Sequence, residues 1–195
     1  VNLDEALDDA MTGYGPPENL LAVLGADPGP TTGLLLAAWD LDTLELAECL
    51  ALECTGAMAP KLLDVLLRTP CGVMTRRAGA EAFVPRQRSQ SLRGASAAAM
   101  NTIITAIDGA ASAHGLAVMM RGAGLVKPWA TDKRLAAAGL TAPTEKLTDA
   151  RDAARHALFT ACHDCGLPDP LSAAWRAARE TARGGPRDAM RDRPG

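Results

Sequence analysis

Four acidic residues stand where a carboxylate is costly or oddly placed. Asp27 ends the apolar run of residues 20–26, and Glu81 lies inside the small, apolar stretch "AGAEAF". Asp149 and Asp152 are three apart in a helical pattern, so they share a face. A carboxylate at a strand tip beside a core is expensive unless something pairs with it. Brought together, the four carry a charge of about −4, which raises their pKa values or demands a counter-ion. Two Mg2+ ions would neutralise them, and Mn2+ could substitute, because oxygen-rich sites select such cations over zinc. Paired ions suit in-line attack on a phosphodiester, one activating water and the other stabilising the leaving oxygen. Each residue also has an ordinary role open to it. Asp before Pro-Gly accepts turn hydrogen bonds, Glu81 could be an edge-strand carboxylate, and the Asp149/Asp152 pair could bond Arg151, Arg155 or His156 on its own helix.

The elements that must position these groups follow from the hydrophobic pattern. Residues 20–26, 34–39 and 44–53 read as three strands joined by "PGPTTG" and Asp40-Leu41-Asp42, an antiparallel meander. A short helix over 59–67 starts near Pro60. Residues 71–82 read as a fourth strand, weakened by two glycines. A long Ala-rich helix covers 90–113, and a fifth strand covers 116–120. A basic loop from Lys127 runs into a short helix reaching 140, and a last helix spans 145–161. The expectation is an α/β fold: a five-stranded mixed sheet, three antiparallel strands and then two parallel ones, flanked by helices. Residues 1–18 form an acidic, flexible arm, 19–168 the domain, and 169–195 an Arg-rich, largely disordered tail after a helical stub.

Composition narrows the chemistry. The chain has 195 residues, 48% hydrophobic but only 3% aromatic, so its core is aliphatic. The net charge of −3 conceals an asymmetry: residues 1–60 hold eleven acidic and no basic residues, and 61–195 hold all 20 Lys and Arg against twelve acids. A split of this kind points to a surface for a polyanion. Five irregularly spaced cysteines are no disulfide framework, and "CHDC" (162–165) lacks the second ligand pair a zinc site needs. With no apolar run of about 20 residues and no leader pattern, the reading is a cytoplasmic protein without a membrane partner.

At this point the chain resembles a known family. "GADPGPTTGLLLAAW" (25–39) looks like the first strand and turn of the RuvC-type Holliday junction resolvases. "GAEAFVPR" (79–86) is similar to their second acidic position, and "SQSLRGASAAAM" (89–100) to the helix after it. "LVKPWATDKRL" (125–135) resembles their basic segment, and "TDARDAARHAL" (148–158) their final Asp-x-x-Asp-Ala helix. The wording is most similar to versions from actinobacterial phages, over about 20–166. The resemblance implies a ribonuclease H-like fold, a homodimer, and Mg2+-dependent nicking of branched DNA such as a four-way junction. It implies Asp27, Glu81, Asp149 and Asp152 as ligands of two ions, with Lys127 and Lys133 near the scissile phosphate and Arg134 as a further contact. Arg76, Arg77, Arg86, Arg88 and Arg93 flank Glu81 as candidate DNA contacts. The chain departs from the family in a shorter Lys127–Lys133 segment without its Gly-rich piece. It also has Phe83 two residues after the Glu rather than three, which in a strand reverses the side chain's face.

Two other readings stand beside this one. Asp-x-Gly-x-Thr-Thr also resembles the first phosphate loop of actin-like ATPases and sugar kinases, but no second such loop is present in the sequence. A non-catalytic module of the same fold that binds branched DNA would be expected to lack one of the carboxylates, and all four are there.

Overall fold

The computed structural model describes residues 19–82 and 93–183. The arm of residues 1–18, the segment 83–92 and residues 184–195 lie outside the described residues. Strands β1 (Leu20–Asp27), β2 (Thr31–Asp40), β3 (Leu46–Thr55), β4 (Thr75–Glu81) and β5 (Val118–Arg121) form one sheet in the order β3-β2-β1-β4-β5. The first three are antiparallel neighbours, and β4 and β5 run parallel to β1. The helices among the described residues are, in chain order, α1 (Ala59–Arg68), α2 (Pro70–Val73), α3 (Arg93–Ala113), α4 (Ala123–Trp129), α5 (Asp132–Ala137), α6 (Thr148–Asp164) and α7 (Ala173–Arg183). This is the five-stranded mixed sheet that the hydrophobic pattern predicts.

β1 and β2 are apolar without interruption because both of their faces are covered. Ala22, Leu24 and Ala26 of β1, with Leu34, Leu36 and Ala38 of β2, pack against α1 and α3. Leu21, Val23, Leu35, Ala37 and Trp39 pack on the other face, against α6. The buried side of α6 is mostly alanine, and the sheet beneath it carries Gly33, Gly25 and Gly79. A Cβ on Gly33 would strike the Asp149 backbone, one on Gly25 the Ala153 carbonyl, and one on Gly79 the Thr160 hydroxyl. The glycines of "GAD", "TTG" and "AGAE" therefore let a helix backbone lie directly on the sheet.

Two sequence expectations are corrected here. The fourth strand does not begin at residue 71: Thr69 accepts a 3.0 Å bond from Gly72 N–H, Pro70 takes the first position, and a turn of helix precedes β4. Thr-Pro is a helix-start signal that outweighs the β-branched residues after it. Lys127 lies on a helix, α4, rather than in a loop. Downstream of residue 168, α7 is an eleven-residue helix, and its Trp175 is buried in the core with Leu135, Leu140 and Leu158. No helix among the described residues is long and apolar enough to cross a membrane.

Candidate active site

The register lines up the acidic residues at one end of the sheet. Glu53 of β3 faces Gly33 of β2, and Gly33 faces Asp27 of β1. Ala26 pairs with Ala80, one residue before Asp27 and Glu81, and Glu81 pairs with Arg121 of β5. Asp27 and Glu81 have the same parity as Gly25 and Gly79, so both point to the α6 side. The first turns of α6 lie across this row and bring Asp149 and Asp152 to it. Four carboxylates from three distant segments thus meet where β1 and β4 end, the crevice in which α/β sheets usually hold ligands.

Their electrostatics are those of crowded like charge. Burial, then the charges of Glu81, Asp152 and Asp149, push the Asp27 carboxyl up to about 7, with Lys127 opposing. Asp149 is also raised, by burial and by Glu53 and Asp152. Glu81 is lowered, first by His156 and then by Lys127, against its own burial. The Lys127 ammonium is the central cation, 2.7 Å from Asp152 Oδ2 and 3.2 Å from Glu81 Oε2. These contacts raise its pKa despite partial burial. Arg155 pairs with the other oxygen of Asp152 and, at 2.6 Å, with Asp132 at the start of α5. His156 Nε2 lies 3.5 Å from Glu81 Oε2, and neither atom has a hydrogen bond of good geometry among the described residues.

Glu53 is the participant that the motifs miss. Its Oε1 accepts from Asp149 N–H at 2.7 Å and from Ala150 N–H at 3.4 Å, capping α6 from a strand 96 residues away. The only local signal is its spacing from Cys49 and Ala51, which face α6. Removing such a cap costs roughly 1 kcal/mol. Glu53→Ala is expected to lower the urea midpoint accordingly and to loosen Asp149, with Glu53→Gln recovering most of the loss.

The remaining expected residues divide sharply. Lys127 is at the carboxylates, but Lys133 is exposed on α5, lines a groove against α7, and pairs with none of the four. Arg134 turns inward instead of offering itself to a phosphate. It bonds Asp169 at 2.9 Å and the Trp129 carbonyl at 2.9 Å, and lies 4.7 Å over the Trp129 ring. Arg77 is exposed on β4. Arg76 and Arg93 fall on β4 and α3 by their backbones. Arg86, Arg88 and Phe83 lie outside the described residues. Burial, and then the Asp169 charge, push the Cys162 thiol up to about 12 against Arg134, and the thiol donates to the Pro168 carbonyl at 3.5 Å. The Thr32 hydroxyl, which a phosphate loop would present, is buried and donates to the Gly29 carbonyl at 2.7 Å.

Neither a family model nor a curated protein sequence matches the chain. Solved structures do. The structure described as Thermus thermophilus RuvC in complex with a Holliday junction substrate is similar with a TM-score of 0.52 and 21% identity, over 72% of this chain and 92% of that one. A further structure, of Thermus thermophilus RuvC, matches with a TM-score of 0.48 and 20% identity, over 72% and 93%. The strand order and the first of these likenesses, with a TM-score of 0.52, together place the chain in the ribonuclease H-like α/β fold.

Proposed function

We propose that the protein is a Mg2+-dependent, structure-selective endodeoxyribonuclease that cuts four-way junctions or other branched DNA. The observation that carries this reading is the convergence of Asp27, Glu81, Asp149 and Asp152 at the ends of β1 and β4. The likeness to a RuvC structure holding junction DNA supports the substrate class.

The residues present fit a divalent cation. The donors are all carboxylate oxygens, burial and the neighbouring carboxylates push the Asp27 carboxyl up to about 7, and the buried Glu81 Oε2 has the Lys127 ammonium at 3.2 Å but no hydrogen bond of good geometry among the described residues. Among the described residues no three such groups already form a ligand cage; the Lys127 ammonium stands between Glu81 and Asp152. Mg2+ there would be held by Asp27, Glu81, Asp149 and Asp152, and when bound would supply charge neutralisation and activation of water for in-line attack. The chain's own groups bind and orient around it. Asp27 must give up its proton to become a ligand. Glu53 fixes the turn that carries Asp149, and Arg155 holds Asp152 from the far side. Lys127 keeps its charge at the mouth, where it can exchange a carboxylate for a phosphate oxygen. A homodimer would present two such sites to two strands across its axis.

The test is purified protein with Mg2+ on a four-way junction, a flap and a linear duplex. Cleavage of a branched substrate, lost in Asp27→Asn, is the expected result; no cleavage of any branched substrate overturns the reading. Lys127→Met should slow single-turnover cleavage by about a hundredfold to a thousandfold, the scale of one positioned donor at charge that develops in the transition state. It should also make thermal stability depend more strongly on added Mg2+, because the carboxylates lose their built-in counter-ion.

A further inference from the structure

A groove of about 420 Å³ runs between α5 and α7, away from the four carboxylates. Leu171 and Trp175 form part of its apolar floor, and Lys133, Arg176 and Arg179 stand along it with a single acid, Glu180. Lys133 and Arg176 are exposed and form no ion pair with the described residues. Arg179 is half-buried: it donates to the Ala137 carbonyl at 3.2 Å, reaches Glu45 only at 3.4 Å, and its buried Nε is without a partner. Elsewhere on this face Lys146 and Arg151, around the start of α6, also lack an ion pair among the described residues, but other cations are consumed. Arg121 holds Asp164, Arg134 holds Asp169, and Arg155 holds Asp152 and Asp132.

The groove is joined to the carboxylate site by one chain of contacts. Arg155 touches Asp152 and Asp132, and Asp132 opens the short helix α5, whose next residue is Lys133. Unpaired cations along an apolar floor match a sugar–phosphate chain, which offers an anion at each step and apolar sugar faces between. We infer that the α5–α7 groove is a second contact for the DNA backbone, which holds the strand leaving the carboxylate site. This rests on the nuclease reading and extends it to a surface built largely by α7. Phosphate contacts of this kind set register and affinity without reading sequence.

The experiment is anisotropy with a fluorescent four-way junction in divalent-free buffer across a salt series, on the full chain. Lys133→Ala/Arg176→Ala should weaken binding about tenfold at moderate salt and reduce the slope of log K against log[salt] by about 2, one unit per lost phosphate contact. Lys61→Ala, an exposed cation on α1 across the sheet, is the control, with an expected change under about twofold and the same slope within error. Both substituted groove residues are exposed, so the melting temperature should hold and binding losses should not reflect unfolding. Unchanged affinity and slope in the double variant, or an equal loss in Lys61→Ala, overturns the inference. A double variant that loses heparin binding but not DNA binding overturns it too, because the groove then serves another polyanion. Wild-type protein that binds no junction at any salt is a different result: it removes the nuclease reading itself. A wild type that binds and cuts beside an indifferent double variant removes the groove alone.

Discussion

Asp27→Asn is expected to abolish DNA cleavage and, in the same protein freed of cations, to raise stability at pH 8. The loss follows from the position of Asp27, the carboxylate with three others around it at the strand ends. An amide of the same shape cannot supply the charge that a divalent cation needs, so a fall of at least about a thousandfold is expected. The gain follows from burial. The folded carboxyl titrates at about 7 and its unfolded value is 3.8, so the folded state binds the proton more tightly. The stability contributed by neutral Asp27 is therefore fully present below about pH 4 and is lost as the pH rises towards 7. Asn has no such loss. The two proteins should unfold alike at pH 4 and diverge to a plateau above pH 7, by about 2 to 4 kcal/mol. Glu81 runs in the opposite direction: its lowered pKa adds stability above its ordinary range, lost as the pH falls. Urea unfolding from pH 4 to 8, with and without Mg2+, checks both signs. Mg2+ should stabilise wild-type protein more at pH 8 than at pH 6, where protons compete, and should stabilise Asp27→Asn far less. An Asn variant that is less stable than wild type at pH 8 in EDTA would contradict the buried-charge account.

Gly33→Ala should be among the most damaging single-methyl additions in the chain. The new Cβ would fall on the Asp149 carbonyl and the Ala150 nitrogen, all backbone, so no rotamer can yield. Overpacking of this kind costs typically 1–3 kcal/mol; with rigid helix backbone on one side and the middle of the sheet on the other, about 3 kcal/mol is expected. The helix must lift or slide, and it carries Asp149 and Asp152 as it goes. Cation affinity and cleavage should therefore fall in the fraction that remains folded, which distinguishes a displaced site from simple destabilisation. The contrast is Gly109→Ala, exposed about one turn before the end of α3 with open space around it. That change should stabilise by about 0.5 to 1 kcal/mol, because a helix interior favours Ala over Gly. Denaturant midpoints of the two variants, with Mn2+ titrations of the folded protein, provide the comparison.

Much of this arrangement is legible in the sequence. Unbroken apolar runs announce β1 and β2, because strands covered on both faces need no alternation. The three-residue spacing of Asp149 and Asp152 determines that they share a face, whatever lies opposite. The ordered acidic positions indicate the sheet end at which they meet. The tertiary structure alone decides what stands among those carboxylates. Glu53 reaches the start of α6 through strand register and across 96 residues, a relation with no local signature. Lys127 becomes the counter-ion of Glu81 and Asp152 because α4 packs against α6, whereas Arg134 and Lys133, close by in sequence, turn to Asp169 and to the groove beside α7. The glycines look like weaknesses in a strand until the helix backbone above them is seen. Residue type and spacing set which chemistry is possible; the long-range packing of α6 on a glycine-bared sheet sets which charges meet, because electrostatic coupling depends on distance through space and not along the chain.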